Sequence, residues 1–141
     1  MAGQRAVLQP RPGAIAVLEE LRRKGLKIGV LSDCTDEIPL LWPDSLYAPL
    51  VDAAVFSCSL GVRKPDPRTY AAVLHGLGLA PDQCLYVGDG GSSELSGATV
   101  AGLRPIWLNV PSENYFRPNA EAGWHGESIG SLEEVFGLLD S

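Results

Sequence analysis

The stretch Val87-Gly88-Asp89-Gly90-Gly91-Ser92-Ser93-Glu94-Leu95 carries the strongest structural signal in this chain. A short apolar strand, predicted over Cys84 to Val87, leads into an aspartate between glycines, and a second acid follows five positions later at the predicted start of a helix. Open α/β sheets bind their ligands at the carboxyl ends of strands, where Asp89 falls. Two acids with little positive charge nearby favour a hard divalent cation such as Mg²⁺, held by Asp89 and Glu94.

A second interpretation of the same acids stays open at this point. Ser92 or Ser93 could cap the helix, and Glu94 would then be favoured by the positive end of the helix dipole. Other strand ends have to supply further polar groups before the pattern indicates a binding site.

One such group is a hydroxyl at the end of another predicted strand, Lys27 to Leu31. Ser32 could hydrogen-bond a phosphate oxygen there, and the backbone N–H groups that follow could join it. Asp33 would lie in the loop that faces a substrate. The alternative is an ordinary strand-to-loop cap, in which Asp33, Thr35 and Asp36 begin a turn.

A lysine before a proline supplies the third group, within Arg63-Lys64-Pro65-Asp66-Pro67. The proline biases Lys64 towards extended backbone and away from helix. Asp66 is then predicted as the N-cap and Pro67 as the first residue of a helix. A lysine presented in this way suits a point-charge contact to a phosphate or carboxylate, whereas most loop lysines are simply solvated.

Together these strand ends resemble the haloacid dehalogenase-like (HAD) hydrolases. Ser32, Lys64, and Asp89 with Glu94 follow the order and separations of that family's second, third and fourth motifs. The resemblance covers about residues 10 to 110. It implies an α/β fold of Rossmann-like type, with a mostly parallel sheet and helices on both faces. It also implies that Ser32, Asp33 and Lys64 bind phosphate, with Ser32 and Lys64 in catalytic roles, and that Asp89 and Glu94 bind Mg²⁺.

The activity that this resemblance implies is a Mg²⁺-dependent phosphatase acting on a small phosphorylated metabolite through an aspartyl-phosphate. A dehalogenase is disfavoured, because those enzymes use no metal and two acids occupy the fourth motif here. A non-catalytic phosphate-binding or regulatory module is the main alternative. A receiver domain fits poorly, since the predicted strand near Ala53 to Ser57 has no aspartate at its end.

The family's first motif, an apolar strand ending in Asp-x-Asp-x-Thr, is not found in this chain. Its first aspartate is the family's nucleophile, so the chain alone is predicted to be inactive. The family's sheet places that strand centrally, and its loss would leave two edges with unpaired backbone groups. Either Arg5-Ala6-Val7-Leu8-Gln9 or a neighbouring chain could fill the space, which predicts a homodimer or strand exchange.

The resemblance implies one partial HAD-like domain over residues 1–141, and the polar, glycine-rich composition of residues 111–130 predicts a long loop or arm. The apolar fraction of 45% and charged fraction of 20% are ordinary for a globular domain. The net charge of −6 disfavours nucleic acid as a partner. No apolar run is long enough for a membrane span. Three widely spaced cysteines favour reduced thiols and a cytoplasmic location.

Hydrophobic periodicity predicts alternating strands and helices, the pattern of a parallel sheet with right-handed crossovers. The predicted helices span Gly13 to Lys24, Pro67 to Gly76, Ser92 to Ala101 and Ser131 to Leu139, and the last strand spans Pro105 to Val110.

Overall fold

The computed structural model describes residues 14–32, 39–40, 42–90, 93–109 and 124–139. Within these ranges the strands form two parallel sheets. The first sheet contains β1 (Gly29–Ser32) and β2 (Ala53–Phe56), and the second contains β3 (Leu85–Gly88), β4 (Arg104–Leu108) and β5 (Glu127–Ile129). The helices are α1 (Ala14–Arg23), α2 (Ser57–Leu60), α3 (Pro67–Leu77), α4 (Glu94–Ala101) and α5 (Val135–Leu139).

Helix α3 begins where local side-chain chemistry predicts and ends at Leu77, one residue beyond the predicted end at Gly76. The Asp66 carboxylate accepts a hydrogen bond from the Arg68 backbone N–H at 2.9 Å, and Pro67 occupies the first turn. Gly78 ends the helix in the left-handed region, at φ 68°, which a residue without Cβ adopts at little cost. The predicted N-cap and first residue of this helix are confirmed.

Helices cover both faces of the sheet layer, as predicted. Strand alternation sends Leu85 and Val87 into one core cluster, which contains Val17 and Leu18 of α1. It sends Tyr86 into the opposite cluster, which contains buried residues of α3 and α4. Helix α1 therefore lies on one face, and α3 and α4 lie on the other.

The two sheets are separated by an apolar cavity of about 210 Å³. Leu31 of β1 and Val87 of β3 line it from the two sides, and Leu18 of α1 and Leu74 of α3 line it from the two helix layers. In the part of the chain that the structure describes, β1 is paired with β2 and β3 with β4. The predicted single sheet is thus interrupted where the sequence predicts a missing central strand.

Strand β5 lies at the end of the segment that the sequence predicts as a loop or arm, and the part of that segment before residue 124 is outside the described residues. Ile106 of β4 is in register with Glu127 of β5. Of the three residues of β5, Ile129 alone is buried. The strand therefore lacks the hydrophobic pattern from which a sequence analysis could predict it. An ion pair between Arg104 and Glu127, at 2.6 Å, joins it to β4.

No helix in the described ranges is long and apolar enough to cross a membrane.

Candidate active site

Lys64 is buried, with 6% of its surface exposed, although it lies in the loop that leads into α3. The peptide bond between Lys64 and Pro65 is cis. The lysine Nζ donates a hydrogen bond to Oε1 of Glu94 at 2.9 Å. Lys64 is therefore a fixed cation within the protein, and the alternative of a solvated loop lysine is excluded.

Both carboxylate oxygens of Glu94 are held by protein donors. Oε1 accepts from Lys64 and from the Tyr86 hydroxyl, the latter at 2.6 Å, and Oε2 accepts from the Gly90 backbone N–H at 2.7 Å. Glu94 is the first residue of α4 and only 1% exposed. One carboxylate thus ties together the lysine loop, strand β3 and the turn that follows β3.

Two tyrosines complete this buried network. Tyr86 projects from β3 towards α3 and α4, and its hydroxyl accepts from Lys64 Nζ at 3.3 Å while donating to Glu94. Tyr70 of α3 donates from its hydroxyl to the Glu94 backbone carbonyl at 2.7 Å. The two rings pack edge to face with centroids 5.5 Å apart. Satisfied polar networks of this kind fix the geometry of a buried site.

Two glycines allow this close approach. A Cβ on Gly88 would lie 2.5 Å from the carboxyl carbon of Glu94, and a Cβ on Gly97 would lie 2.5 Å from the Tyr70 hydroxyl. Any larger residue at either position would have to displace the buried carboxylate or the tyrosine. The two glycines are therefore required because their neighbouring side chains leave no room for a Cβ.

Asp89 follows β3 directly and belongs to the same network. Its side chain is close enough to the Glu94 carboxyl to raise the pKa of that group. Its backbone carbonyl accepts from the Trp107 indole Nε1 at 3.1 Å. The turn that presents the Asp89 carboxylate is thus held from β4 by Trp107 and from α4 by Glu94.

The electrostatics of Glu94 reflect its burial. Loss of hydration raises the pKa of this carboxyl above its usual 4.5, and the nearby Asp89 side chain also raises it. The charge of Lys64 and the hydroxyl of Tyr86 act in the opposite direction, but burial has the larger effect. The pair is therefore held by geometry at a considerable cost in solvation.

Ser32 lies at the carboxyl end of β1 and is fully buried. Its Oγ has no hydrogen-bond partner among the described residues. A buried hydroxyl left unsatisfied costs about 1–3 kcal/mol. The orphaned hydroxyl is consistent with an external partner such as an anion, as its position at a strand end predicts.

The predicted site residues fall into three groups. Lys64, Asp89 and Glu94 are brought together in one network, and Ser32 ends the strand on the other side of the cavity from β3. Asp33 lies outside the described residues. The sequence analysis missed Tyr86, Tyr70 and Trp107, because aromatic residues in apolar strands and helices look like ordinary core residues.

The donor set fits Mg²⁺ through Asp89. This ion is typically bound by one or two carboxylates, with water and substrate phosphate as its other ligands. The described residues contain no cluster of three or more histidine, cysteine or acidic side chains for a metal cage. The two carboxylate oxygens of Glu94 already accept hydrogen bonds from Lys64, Tyr86 and Gly90. These contacts favour a role for Glu94 in positioning its neighbours over direct coordination of the metal.

A family model described as haloacid dehalogenase-like hydrolase matches residues 3–102. Among curated proteins, the chain is 33% identical over 129 residues to a phosphoserine phosphatase of Thermus thermophilus, covering 89% of this chain and 49% of that protein. It is 39% identical over 118 residues to a phosphoglycolate phosphatase of Rhodospirillum rubrum, covering 79% and 46%.

Solved structures agree on the fold. A dehalogenase crystal structure superposes with a TM-score of 0.75 at 26% identity, covering 93% of this chain and 57% of the other. A HAD phosphatase from Thermococcus onnurineus gives a TM-score of 0.74 at 23% identity, covering 92% and 57%. The chain spans about half the length of the relatives that it matches.

Proposed function

Because the chain belongs to the haloacid dehalogenase-like hydrolases, we propose that its site binds the phosphoryl group of a small phosphate ester together with Mg²⁺, as part of a phosphatase. The observation that carries this proposal is the buried hydroxyl of Ser32, for which the described part of the chain supplies no hydrogen-bond partner. Support for a phosphate ester comes from the similarity to phosphoserine and phosphoglycolate phosphatases.

Each residue then has a distinct role. The Ser32 hydroxyl donates a hydrogen bond to a phosphoryl oxygen. Lys64 supplies a fixed positive charge, which offsets the negative charge that gathers around a metal-bound phosphoryl group. Asp89 holds Mg²⁺, and Asp33, which lies outside the described residues, keeps its predicted role in substrate binding. The metal, when bound, polarises the phosphoryl group and neutralises part of its charge.

Glu94 acts indirectly in this proposal. Its carboxylate fixes Lys64 on one side and the Gly90 backbone on the other, so it sets the orientation of the cation relative to the turn that carries Asp89. Any role of Glu94 towards the metal would pass through water or through Asp89.

Turnover needs one group that these residues do not provide. In the proposed reaction, a carboxylate oxygen attacks phosphorus while the phosphorus–oxygen bond to the leaving alcohol breaks, and the alcohol oxygen takes up a proton. Water then hydrolyses the resulting aspartyl-phosphate and releases inorganic phosphate. We expect the present chain to bind phosphate and Mg²⁺ without turnover, because no Asp-x-Asp-x-Thr motif occurs in it.

A non-catalytic phosphate-binding module is the second candidate. It uses the same Ser32, Lys64 and Asp89, and the missing nucleophile motif favours it. A dehalogenase is also similar in structure. The close pair of Asp89 and Glu94 carboxyls favours a metal site over a metal-free dehalogenase site.

The test is binding of inorganic phosphate, measured by titration calorimetry in the presence of Mg²⁺. Ser32→Ala should weaken binding by about tenfold or more, because a hydrogen bond to a charged group is worth about 1.5–3 kcal/mol. Ser128→Ala, an exposed serine of β5, is the matched control and should leave affinity unchanged. Equal affinity in all three proteins, or no phosphate binding at all, would overturn the proposal.

Turnover is measured separately with an aryl phosphate. Background rates in this chain, with phosphate binding intact, distinguish the binding module from the complete enzyme. Substantial turnover would show that another residue of this chain serves as the nucleophile.

We also propose a cytoplasmic location, on the ground that Cys34, Cys58 and Cys84 are odd in number and widely spaced. Labelling of free thiols in protein taken directly from cells checks this expectation.

A further inference from the structure

Tyr86 places a hydroxyl between the cation and the anion of the buried pair. Its side chain is 5% exposed and belongs to the core cluster that contains residues of α3 and α4. The hydroxyl forms a closed triangle with Lys64 Nζ and Glu94 Oε1. The sides measure 2.6 Å from the hydroxyl to Oε1, 2.9 Å from Nζ to Oε1 and 3.3 Å from Nζ to the hydroxyl. A phenylalanine would fill the same apolar volume, so the hydroxyl calls for an explanation beyond core packing.

The ammonium group of Lys64 needs more than one contact to stay in one place. Lysine has a flexible four-carbon stem that ends in a point charge with three rotatable donors. An sp² oxygen accepts hydrogen bonds over a broad range of directions. The bond to Glu94 Oε1 therefore restricts the distance of Nζ more than its direction, and the contact with Tyr86 restricts the direction.

Tyr86 is well suited to be a fixed reference point. A tyrosine ring is rigid and turns about only two side-chain torsions. This ring extends from β3 and packs edge to face against Tyr70 of α3, with centroids 5.5 Å apart and an interplanar angle of 64°. Asp89 follows β3 directly, three positions after Tyr86. One strand therefore sets both the position of the cation and the position of the proposed metal ligand.

The two oxygens of Glu94 serve different parts of the site. Oε1 accepts from Lys64 and Tyr86. Oε2 accepts from the Gly90 backbone N–H, in the turn that carries Asp89. Loss of the Tyr86 hydroxyl would remove contacts on the lysine side and leave the bond to the turn in place.

We propose, on the basis of the function proposed above, that Tyr86 is a positioning residue that acts through Lys64 on phosphoryl binding and does not act on Mg²⁺. It directs the Lys64 ammonium group towards the phosphoryl group. Tyr86 is not among the residues from which the sequence predicts the site, because its position within an apolar strand is typical of a core residue.

Titration calorimetry of Tyr86→Phe tests this division, with Mg²⁺ alone and then with inorganic phosphate at a fixed Mg²⁺ concentration. Phosphate affinity should fall about three- to tenfold, as expected for the loss of one hydrogen bond. Affinity for Mg²⁺ alone should not change, whereas a general loosening of the site would weaken both. Tyr47→Phe makes the same substitution in the buried cluster on the α1 face. It is the matched control and should retain both affinities.

Nitrogen-15 NMR of the lysine side chains gives a measurement that needs no ligand. The chain contains three lysines, and Lys24 and Lys27 are exposed, so an ammonium signal protected from water belongs to Lys64. Its protons should exchange about three- to tenfold faster in Tyr86→Phe than in the unaltered protein. In the unaltered protein they should also show a nuclear Overhauser contact with the Tyr86 side chain, which can be measured even if Tyr86→Phe fails to fold.

The proposal is overturned if Tyr86→Phe keeps its phosphate affinity, or if it loses phosphate and Mg²⁺ affinity to the same extent. Absence of the Overhauser contact between Lys64 and Tyr86 would also overturn it. Failure of the unaltered protein to bind phosphate is a different result. It overturns the proposed function, and the role of Tyr86 in phosphoryl binding with it.

Discussion

The buried network around Glu94 and the apolar cavity beside it differ in how fully protein groups fill and satisfy them. In the network, each carboxylate oxygen of Glu94 has a protein donor, supplied by Lys64, Tyr86 or Gly90. The cavity, in contrast, is a partly open apolar space of about 210 Å³ lined by residues of β1, β3, α1 and α3.

The two regions are held in different ways. Hydrogen bonds from Lys64, Tyr86 and Gly90 fix Glu94 within the described residues, whereas mainly apolar side chains border the space between β1 and β3. Separate substitutions can therefore examine the network and the cavity.

The largest expected effect is the loss of one partner in the buried ion pair. Lys64→Met leaves the Glu94 carboxylate buried without its cation and should reduce the free energy of unfolding by about 3–5 kcal/mol. Urea unfolding measures this change. Arg23→Met, which removes an exposed pair with Glu20, is the control and should shift stability by about 0.5 kcal/mol at most. Similar small shifts in both variants would show that the network does not stabilise this region.

The next effect compares the two tyrosines. Tyr86→Phe removes a hydrogen bond to a buried carboxylate and should cost about 1.5–3 kcal/mol, whereas Tyr70→Phe removes a bond to a backbone carbonyl and should cost about 0.5–1.5 kcal/mol. Thermal unfolding of the two proteins gives the order. The reverse order would mean that the hydroxyl of Tyr86 does not stabilise the charged pair.

Gly88→Ala tests how closely the network is packed. The added Cβ would collide with the Glu94 carboxyl, and overpacking of this kind costs about 1–3 kcal/mol. Gly137→Ala in α5, where a Cβ would meet nothing within 4 Å, should instead be neutral or stabilising because alanine favours helix. A Gly88→Ala protein as stable as the Gly137→Ala protein would indicate that Glu94 can move aside.

The smallest effect lies at the surface, outside both regions. Hydrogen bonds to Arg68 lower the pKa of Asp66 from 3.8 to about 2. A lowered carboxyl pKa contributes stability that is present above pH 3.8 and is lost as the pH falls towards 2. Asp66→Asn keeps a capping side chain without the charge and should flatten this acid dependence, measured by circular dichroism between pH 2 and 5. An unchanged acid profile would mean that other groups set it.

Features set by neighbouring residues, such as the start of a helix, are predicted well from the sequence. The start of α3 at Asp66 and Pro67 follows from capping preferences that act within a few residues. The contact between Lys64 and Glu94 joins residues 30 positions apart, and only the packing of α3 against α4 brings them together. Glu94 was therefore predicted as a metal ligand from its spacing to Asp89, whereas its ties to Lys64, Tyr86 and Gly90 required the structure.

The hydrogen bond from the Trp107 indole to the Asp89 carbonyl should make tryptophan fluorescence sensitive to changes at Asp89. Indole emission depends on the polarity and hydrogen bonding around the ring, and this ring is half-buried and anchored to the residue proposed to hold the metal. A change in tryptophan emission during titration with Mg²⁺ would therefore report a change in the turn that carries Asp89, without an added label. The Trp107→Phe protein shows how much of that emission change comes from Trp107.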